Sequence, residues 1–152
     1  MNEYVYKSIK VFNPHLECEE KYECLEKMAE ELSSASNLDK EEIYNLLKAR
    51  EKFGSTALGG GFALPHTKAI FIEELICGIF ITKKPIDFGS IDDIPTQIFL
   101  VLLAPSVKPS ILLKALAKIA KIFKDESLKE KIINSTNMQE AIEIIKDKEL
   151  SL

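Results

Sequence analysis

The chain has 152 residues and a net charge of −4, with 46% apolar and 29% charged residues. Those proportions exclude a disordered or fibrous chain, and a chain of this size buries about 68–70% of its unfolded surface without needing a disulfide or metal staple. Affinity for phosphate backbones comes from clustered Lys and Arg, so the acidic balance speaks against nucleic acid as a partner.

The segment 4–12 alternates loosely and is expected to be a short strand, closed by a turn at Asn13-Pro14. From 19 to 33 the positions Tyr22, Leu25, Met28, Ala29 and Leu32 recur at helical spacing. After a polar break at 33–37, Asp39 caps a second helix in a capping-box-like pattern with Glu42. Ile43, Leu46, Leu47 and Phe53 form its apolar stripe. A glycine-rich window, 54–61, leads into an extended segment, because Pro65 biases Leu64 away from the helical region.

Segments 75–82 and 97–103 are apolar and bounded by Pro and Gly signals. They are expected to be strands buried on both faces, joined by a turn-rich connection over 84–95. An amphipathic helix follows over 110–124. Two further helical stretches cover 128–133 and 138–145, the last capped at Thr136/Asn137.

The implied class is α/β: one domain over 1–152, with a small mixed sheet covered by helices. No apolar run approaches the ~20 residues that span a bilayer, and the first residues lack the pattern of a leader peptide. A cytoplasmic location is expected. Cys18, Cys24 and Cys77 are odd in number and lie in apolar-periodic segments, so they are expected to be unpaired core residues. Lys108, Lys114, Lys118, Lys121 and Lys124 line a polar helix side and are expected to be a solvated face. Asp92-Asp93 is expected to solvate a loop.

The unusual residues crowd together. Arg50 is the sole arginine among 20 basic residues, and His66 is one of only two histidines. Four of the six glycines, Gly54, Gly59, Gly60 and Gly61, lie between them. A histidine beyond a proline offers a nucleophilic nitrogen that is neutral near physiological pH. Clustered glycines let backbone N–H groups converge on an anion, Ser55 and Thr56 add hydroxyls, and arginine suits bidentate phosphate recognition. There is no Gly-Lys-Ser/Thr ending for a nucleotide loop, no ligand spacing for a metal and no Gly-x-Ser-x-Gly elbow for a hydrolase. No metal and no cofactor is expected.

The stretch Arg50-Glu-Lys-Phe-Gly-Ser-Thr-Ala-Leu-Gly-Gly-Gly-Phe-Ala-Leu-Pro-His66 resembles the active-site signature of the fructose/mannitol-type enzyme IIA domains. These belong to the bacterial phosphoenolpyruvate-dependent sugar phosphotransferase system and include nitrogen-regulatory relatives. Arg50, Glu51, Gly54, Ser55, Thr56, Gly59, Gly61, Pro65 and His66 fall in place, and Gly60 stands where the family often has Asn. Pro85-Ile-Asp-Phe88 and the run 98–105 extend the likeness over nearly the whole chain.

The resemblance implies a phosphocarrier. His66 would accept a phosphoryl group on Nε2 from the phosphohistidine of HPr and pass it to a downstream IIB component for sugar uptake. Arg50 would stabilise charge, while the amides of Gly59, Gly60 and Gly61, with Ser55 and Thr56, would hold phosphoryl oxygens. Contact with a membrane would be indirect, through the transporter. The alternative is a regulatory module of the same fold, in which phosphorylation of His66 controls partner binding. A third reading is a binding module that has lost transfer. Leu112 stands where the family often carries a second histidine, and His15, beside Pro14, does not replace it.

Overall fold

The computed structural model describes residues 4–152. In chain order it places α1 (Val5–Ser8), β1 (Ile9–Leu16), α2 (Lys21–Ser36), α3 (Lys40–Phe53), β2 (Ala57–Gly59), β3 (Phe62–Ala63) and β4 (His66–Ala69). These are followed by β5 (Ile76–Ile86), β6 (Thr96–Pro105), α4 (Pro109–Ile122), α5 (Glu126–Ile133) and α6 (Met138–Leu150). The sheet runs β1-β5-β6-β3-β2, with β4 also beside β6. Pairing is mixed: β5 is parallel to β1 and antiparallel to β6, and both β3 and β4 run parallel to β6.

The central strands are apolar on both faces because both faces are covered. Along β6, Ile98, Leu100, Leu102 and Ala104 join a cluster with residues of α1, α4, α5 and α6. Alternate residues Phe99, Val101 and Leu103 join a second cluster with α2 and α3. The period-two alternation of a strand distributes one continuous apolar run between two helical layers. Phe62 and Phe123 stack in the first layer with ring centroids 4.2 Å apart.

The caps expected at Asp39 and Asn137 are present, while α2 continues to Ser36 through the expected polar break and α6 runs on to Leu150. Asp39, Asp125 and Asn137 each accept a backbone N–H from their own first turn, as capping side chains do.

The structure departs from expectation at several places. Residues 5–8 form a helical turn, and β1 continues through Asn13-Pro14 instead of ending there. β1 lies at the sheet edge, and its register with β5 breaks between Asn13 and Leu16. A proline is tolerated there because its missing N–H removes no regular ladder bond. His15 is exposed in that strand, its amide donating to Asn13 Oδ1 at 2.9 Å. β5 extends to Ile86, well into the connection expected to be turns.

Phe53 is 93% exposed. The buried stripe of α3 runs Ile43, Leu47, Glu51, and Phe53 lies about 200° round the helix from Glu51. The cysteines are not all unpaired: Cys18 and Cys24 form a disulfide with Cα atoms 5.5 Å apart, and Cys77 is free and buried. The reversal from β1 into the first turn of α2 brings the pair together.

The lysine side of α4 is not uniformly solvated. Lys118 reaches Glu149 at 3.3 Å, and the Glu149 side chain is 1% exposed. That carboxylate also accepts the amides of Val5 at 2.8 Å and Tyr6 at 3.0 Å, tying α1 to the end of α6. Glu149→Ala strands these donors in the interior, and should lower the unfolding free energy by about 2–4 kcal/mol in urea denaturation.

Candidate functional site

His66 opens β4, with Leu102 of β6 as its register partner. Pro65 immediately before it contributes a carbonyl that accepts the Leu102 amide at 3.0 Å. The backbone carrying His66 is therefore pinned to a central strand. The imidazole is half-buried, and its Nδ1 lies 2.7 Å from the Leu64 carbonyl oxygen. A carbonyl can only accept, so Nδ1 carries the proton and the neutral ring presents its lone pair at Nε2. Burial is the largest influence on this group and lowers its pKa below the ordinary 6.5. The Leu64 carbonyl pulls the other way, Arg50 adds to the lowering, and Glu51 opposes it.

Arg50 and Glu51 come from the last turn of α3, a helix that packs against β4. Arg50 Nη1 donates to the Gly54 carbonyl at 2.9 Å, folding the guanidinium over the helix end. Glu51 is buried, with 3% exposure. It accepts the Thr56 amide at 3.2 Å from each carboxylate oxygen, and Thr56 Oγ1 donates to Oε1. Lys21, the first residue of α2, pairs with Glu51 Oε2 at 2.8 Å. Ser55 Oγ donates to the Phe88 carbonyl at 2.6 Å and accepts the Ala57 amide at 3.0 Å. The same Phe88 carbonyl lies 3.4 Å from Lys21 Nζ.

The glycine window divides into two parts. β2 runs antiparallel to β3, with Ala57 opposite Ala63, and the Leu64 amide donates to the Thr56 carbonyl at 3.0 Å. Residues 54–56 therefore lie at the His66 end of the hairpin. Gly60 and Gly61, with φ of 62° and 78°, make the turn at its other end, a conformation glycine adopts without strain. Phe62 pairs with Ile98 and His66 with Leu102, so the turn is displaced from His66 by four residues of strand, roughly 13 Å.

The turn has partners of its own. Gly60 N–H donates to Asp92 Oδ2 at 2.8 Å, and Lys129 Nζ reaches the Gly60 carbonyl at 3.2 Å. Asp92 also accepts from Ser90 Oγ and the Ile94 amide, so it organises the loop that receives the hairpin tip. The structure does not bring Gly59, Gly60 and Gly61 to His66, and the hydroxyl protons of Ser55 and Thr56 are directed to protein acceptors. Leu112, 9% exposed, belongs to the apolar cluster that also contains Leu64 and Leu102. Among the described residues, no group of His, Cys, Asp and Glu side chains is arranged to hold a metal ion.

Sequence reasoning did not single out Lys21, the Phe88 carbonyl or Lys129. Each is remote along the chain from the residue it serves, and a backbone carbonyl has no sequence signal.

The family model for the phosphoenolpyruvate-dependent sugar phosphotransferase system, EIIA 2, matches residues 6–148. The chain belongs to this EIIA 2 family. A nitrogen regulatory protein of Bradyrhizobium diazoefficiens is 34% identical over 127 residues, covering 83% of this chain and 82% of its own. The crystal structure of nitrogen regulatory protein IIA-Ntr from Neisseria meningitidis superposes with a TM-score of 0.86 at 26% identity. It covers 93% of this chain and 98% of that one. The Escherichia coli mannitol enzyme IIA, solved in complex with phosphorylated enzyme IIB, shares the fold with a TM-score of 0.75. Its identity is 17%, over 91% of this chain and 95% of that one. EIIA 2 domains are phosphotransfer components, and no helix among the described residues is long and apolar enough to cross a membrane.

The geometry fixes a titration. The NMR midpoint of His66 should lie below 6.5, and Arg50→Gln should raise it by removing a neighbouring positive charge. Because the folded pKa is depressed, the unfolded chain takes up this proton first. The contribution of His66 to stability is full above pH 6.5 and is lost as pH falls through the folded pKa.

Proposed function

We propose that His66 is the phosphoryl acceptor of this EIIA 2 domain, receiving the group on Nε2 from the phosphohistidine of an HPr-type carrier in the cytoplasm. The observation that carries the reading is the Nδ1–Leu64 hydrogen bond, which leaves Nε2 as the nucleophile. The Nε2 lone pair attacks phosphorus as the donor P–N bond breaks, and Nδ1 keeps its proton on the Leu64 carbonyl. Such transfer passes through a loose transition state that needs positioning and charge stabilisation more than covalent help. Depressed basicity keeps the acceptor neutral at physiological pH.

Arg50 supplies the positive charge beside the imidazole. Ser55 and Thr56 shape the backbone of 54–56 next to His66, through Phe88 and Glu51 respectively. In this reading they act as positioning residues, and the Ser55 amide, between the Gly54 and Thr56 amides that donate to Glu51, takes the phosphoryl-binding part expected of the hairpin glycines. Leu112 adds apolar surroundings where a second histidine would add a donor.

The likeness to proteins named nitrogen regulatory favours a regulatory output, in which phosphorylation of His66 alters binding to a partner protein. Passage to a IIB component for sugar uptake is the second reading. It is supported by the IIA–IIB complex formed by the mannitol domain of the same fold.

Incubation with phosphoenolpyruvate, enzyme I and HPr should add one acid-labile phosphoryl group, located on His66 by peptide mass spectrometry. His66→Ala should abolish it, and Arg50→Ala should slow it by roughly 100-fold, the scale of losing one transition-state donor. A folded wild-type protein that acquires no label in the presence of active upstream components would overturn the relay.

A further inference from the structure

We propose that the Cys18–Cys24 disulfide is a reversible thiol switch that sets the position of Lys21 and thereby the rate of phosphoryl acceptance at His66. The second half of this inference rests on the function proposed above; the first half does not.

The disulfide closes the chain across residues 18–24, tying the end of β1 to the first turn of α2. Lys21 lies inside that closed segment and is the first residue of the helix. Its ammonium group lies 2.8 Å from Glu51 Oε2, 3.4 Å from the Phe88 carbonyl oxygen and 4.7 Å from the Phe88 ring centroid. These acceptors are the anchors of the segment next to His66: Glu51 holds Thr56 and the Phe88 carbonyl holds Ser55. One lysine therefore binds both groups on which residues 55 and 56 hang, and the disulfide restrains the short segment that carries this lysine.

Without the covalent tie, the Lys21 segment keeps its local hydrogen bonds. Glu20 still caps the helix through the Tyr22 and Glu23 amides, and Glu23 still accepts the Glu19 amide. Later turns of α2 keep their own ties to β1 and its end, Lys27 donating to the Glu17 carbonyl and Asn13 Nδ2 to Glu31 at 2.8 Å, so the disulfide is the covalent tie at the helix start. Opening the ring restores conformational freedom to the segment, and Lys21 loses its fixed reach to a carboxylate on another helix. The oxidised form is the preorganised one.

The chemistry needs an external thiol of low molecular weight. Its thiolate attacks Sγ of Cys18, a residue 7% exposed against 0% for Cys24. The S–S bond breaks, and Cys24 leaves as a thiolate that takes a proton. A second thiol then resolves the mixed disulfide. The balance is one protein disulfide and two external thiols giving two protein thiols and one external disulfide. In the reducing compartment proposed for this protein, disulfides are characteristically transient or redox-sensing. Cys77 takes no part: it is free and buried, and burial, aided by the charge of Glu149, pushes its thiol far up.

The test compares oxidised protein with protein reduced by dithiothreitol, each state verified by intact mass and alkylation. Both receive phospho-HPr prepared beforehand and freed of enzyme I. The oxidised form should label His66 roughly five-fold faster, the scale of coupling between neighbouring side chains. Cys18→Ser should label at the reduced rate whatever the thiol concentration. Lys21→Met should be equally slow and insensitive to dithiothreitol.

Equal rates for the two wild-type forms, or failure of oxidised glutathione to form the disulfide, would overturn the switch. The NMR titration of His66 reads the same linkage without phosphorylation, and its midpoint should differ between the two forms. If neither form labels, the phosphocarrier reading falls. The switch then stands on a shifted midpoint and falls on an unchanged one.

Discussion

The buried carboxylate of Glu51 is the constraint on which the site depends. It ends the apolar stripe of α3, where an aliphatic side chain would complete the packing, and its charge must be satisfied there. Thr56 supplies an amide and a hydroxyl, and Lys21 supplies the opposite charge. A buried ion pair is weak evidence for stability in itself, but removing one partner strands the other at a cost of about 3–5 kcal/mol. Glu51 therefore joins α2, α3 and the segment entering β2 into one unit, and that unit stands beside His66.

The histidine is held by a different set of forces. Its backbone belongs to the sheet through Pro65 and Leu102, and its ring orientation belongs to the Leu64 carbonyl. Two neighbouring residues of one helix turn, Arg50 and Glu51, act on it with opposite sign. Burial is the larger influence and favours the neutral ring, with the Arg50 charge adding to it. The role proposed for His66 needs a neutral ring, because an acceptor must be unprotonated before transfer and must hold an anion afterwards.

The hairpin of β2 and β3 separates two tasks that the sequence runs together. Its open end, at residues 54–56, borders the histidine. Its turn, at Gly60-Gly61, docks onto Asp92 and Lys129. The glycines at the turn suit its backbone of positive φ, 62° at Gly60 and 78° at Gly61. Their clustering is a signal of tight architecture, and it looks like an anion cradle only while the path of the chain is unknown.

The sequence by itself determined the elements whose signals are local. Helical periodicity, the caps at Asp39 and Asn137, and the two apolar runs at the sheet centre follow from neighbours a few residues apart. The concentration of Arg50, Gly54 and His66 in one window singles out the candidate site for the same reason. Only the tertiary structure decided which side of Phe53 faces solvent, that β1 passes through Pro14 at a sheet edge, and that Cys18 meets Cys24. It also decided that the hairpin turn lies roughly 13 Å along the sheet from His66, and that Lys21, Ser55 and Thr56 converge on Glu51 and Phe88. These outcomes depend on strand order, helix phase and backbone carbonyls. No residue type encodes such features, because they arise from contacts between segments that are distant along the chain.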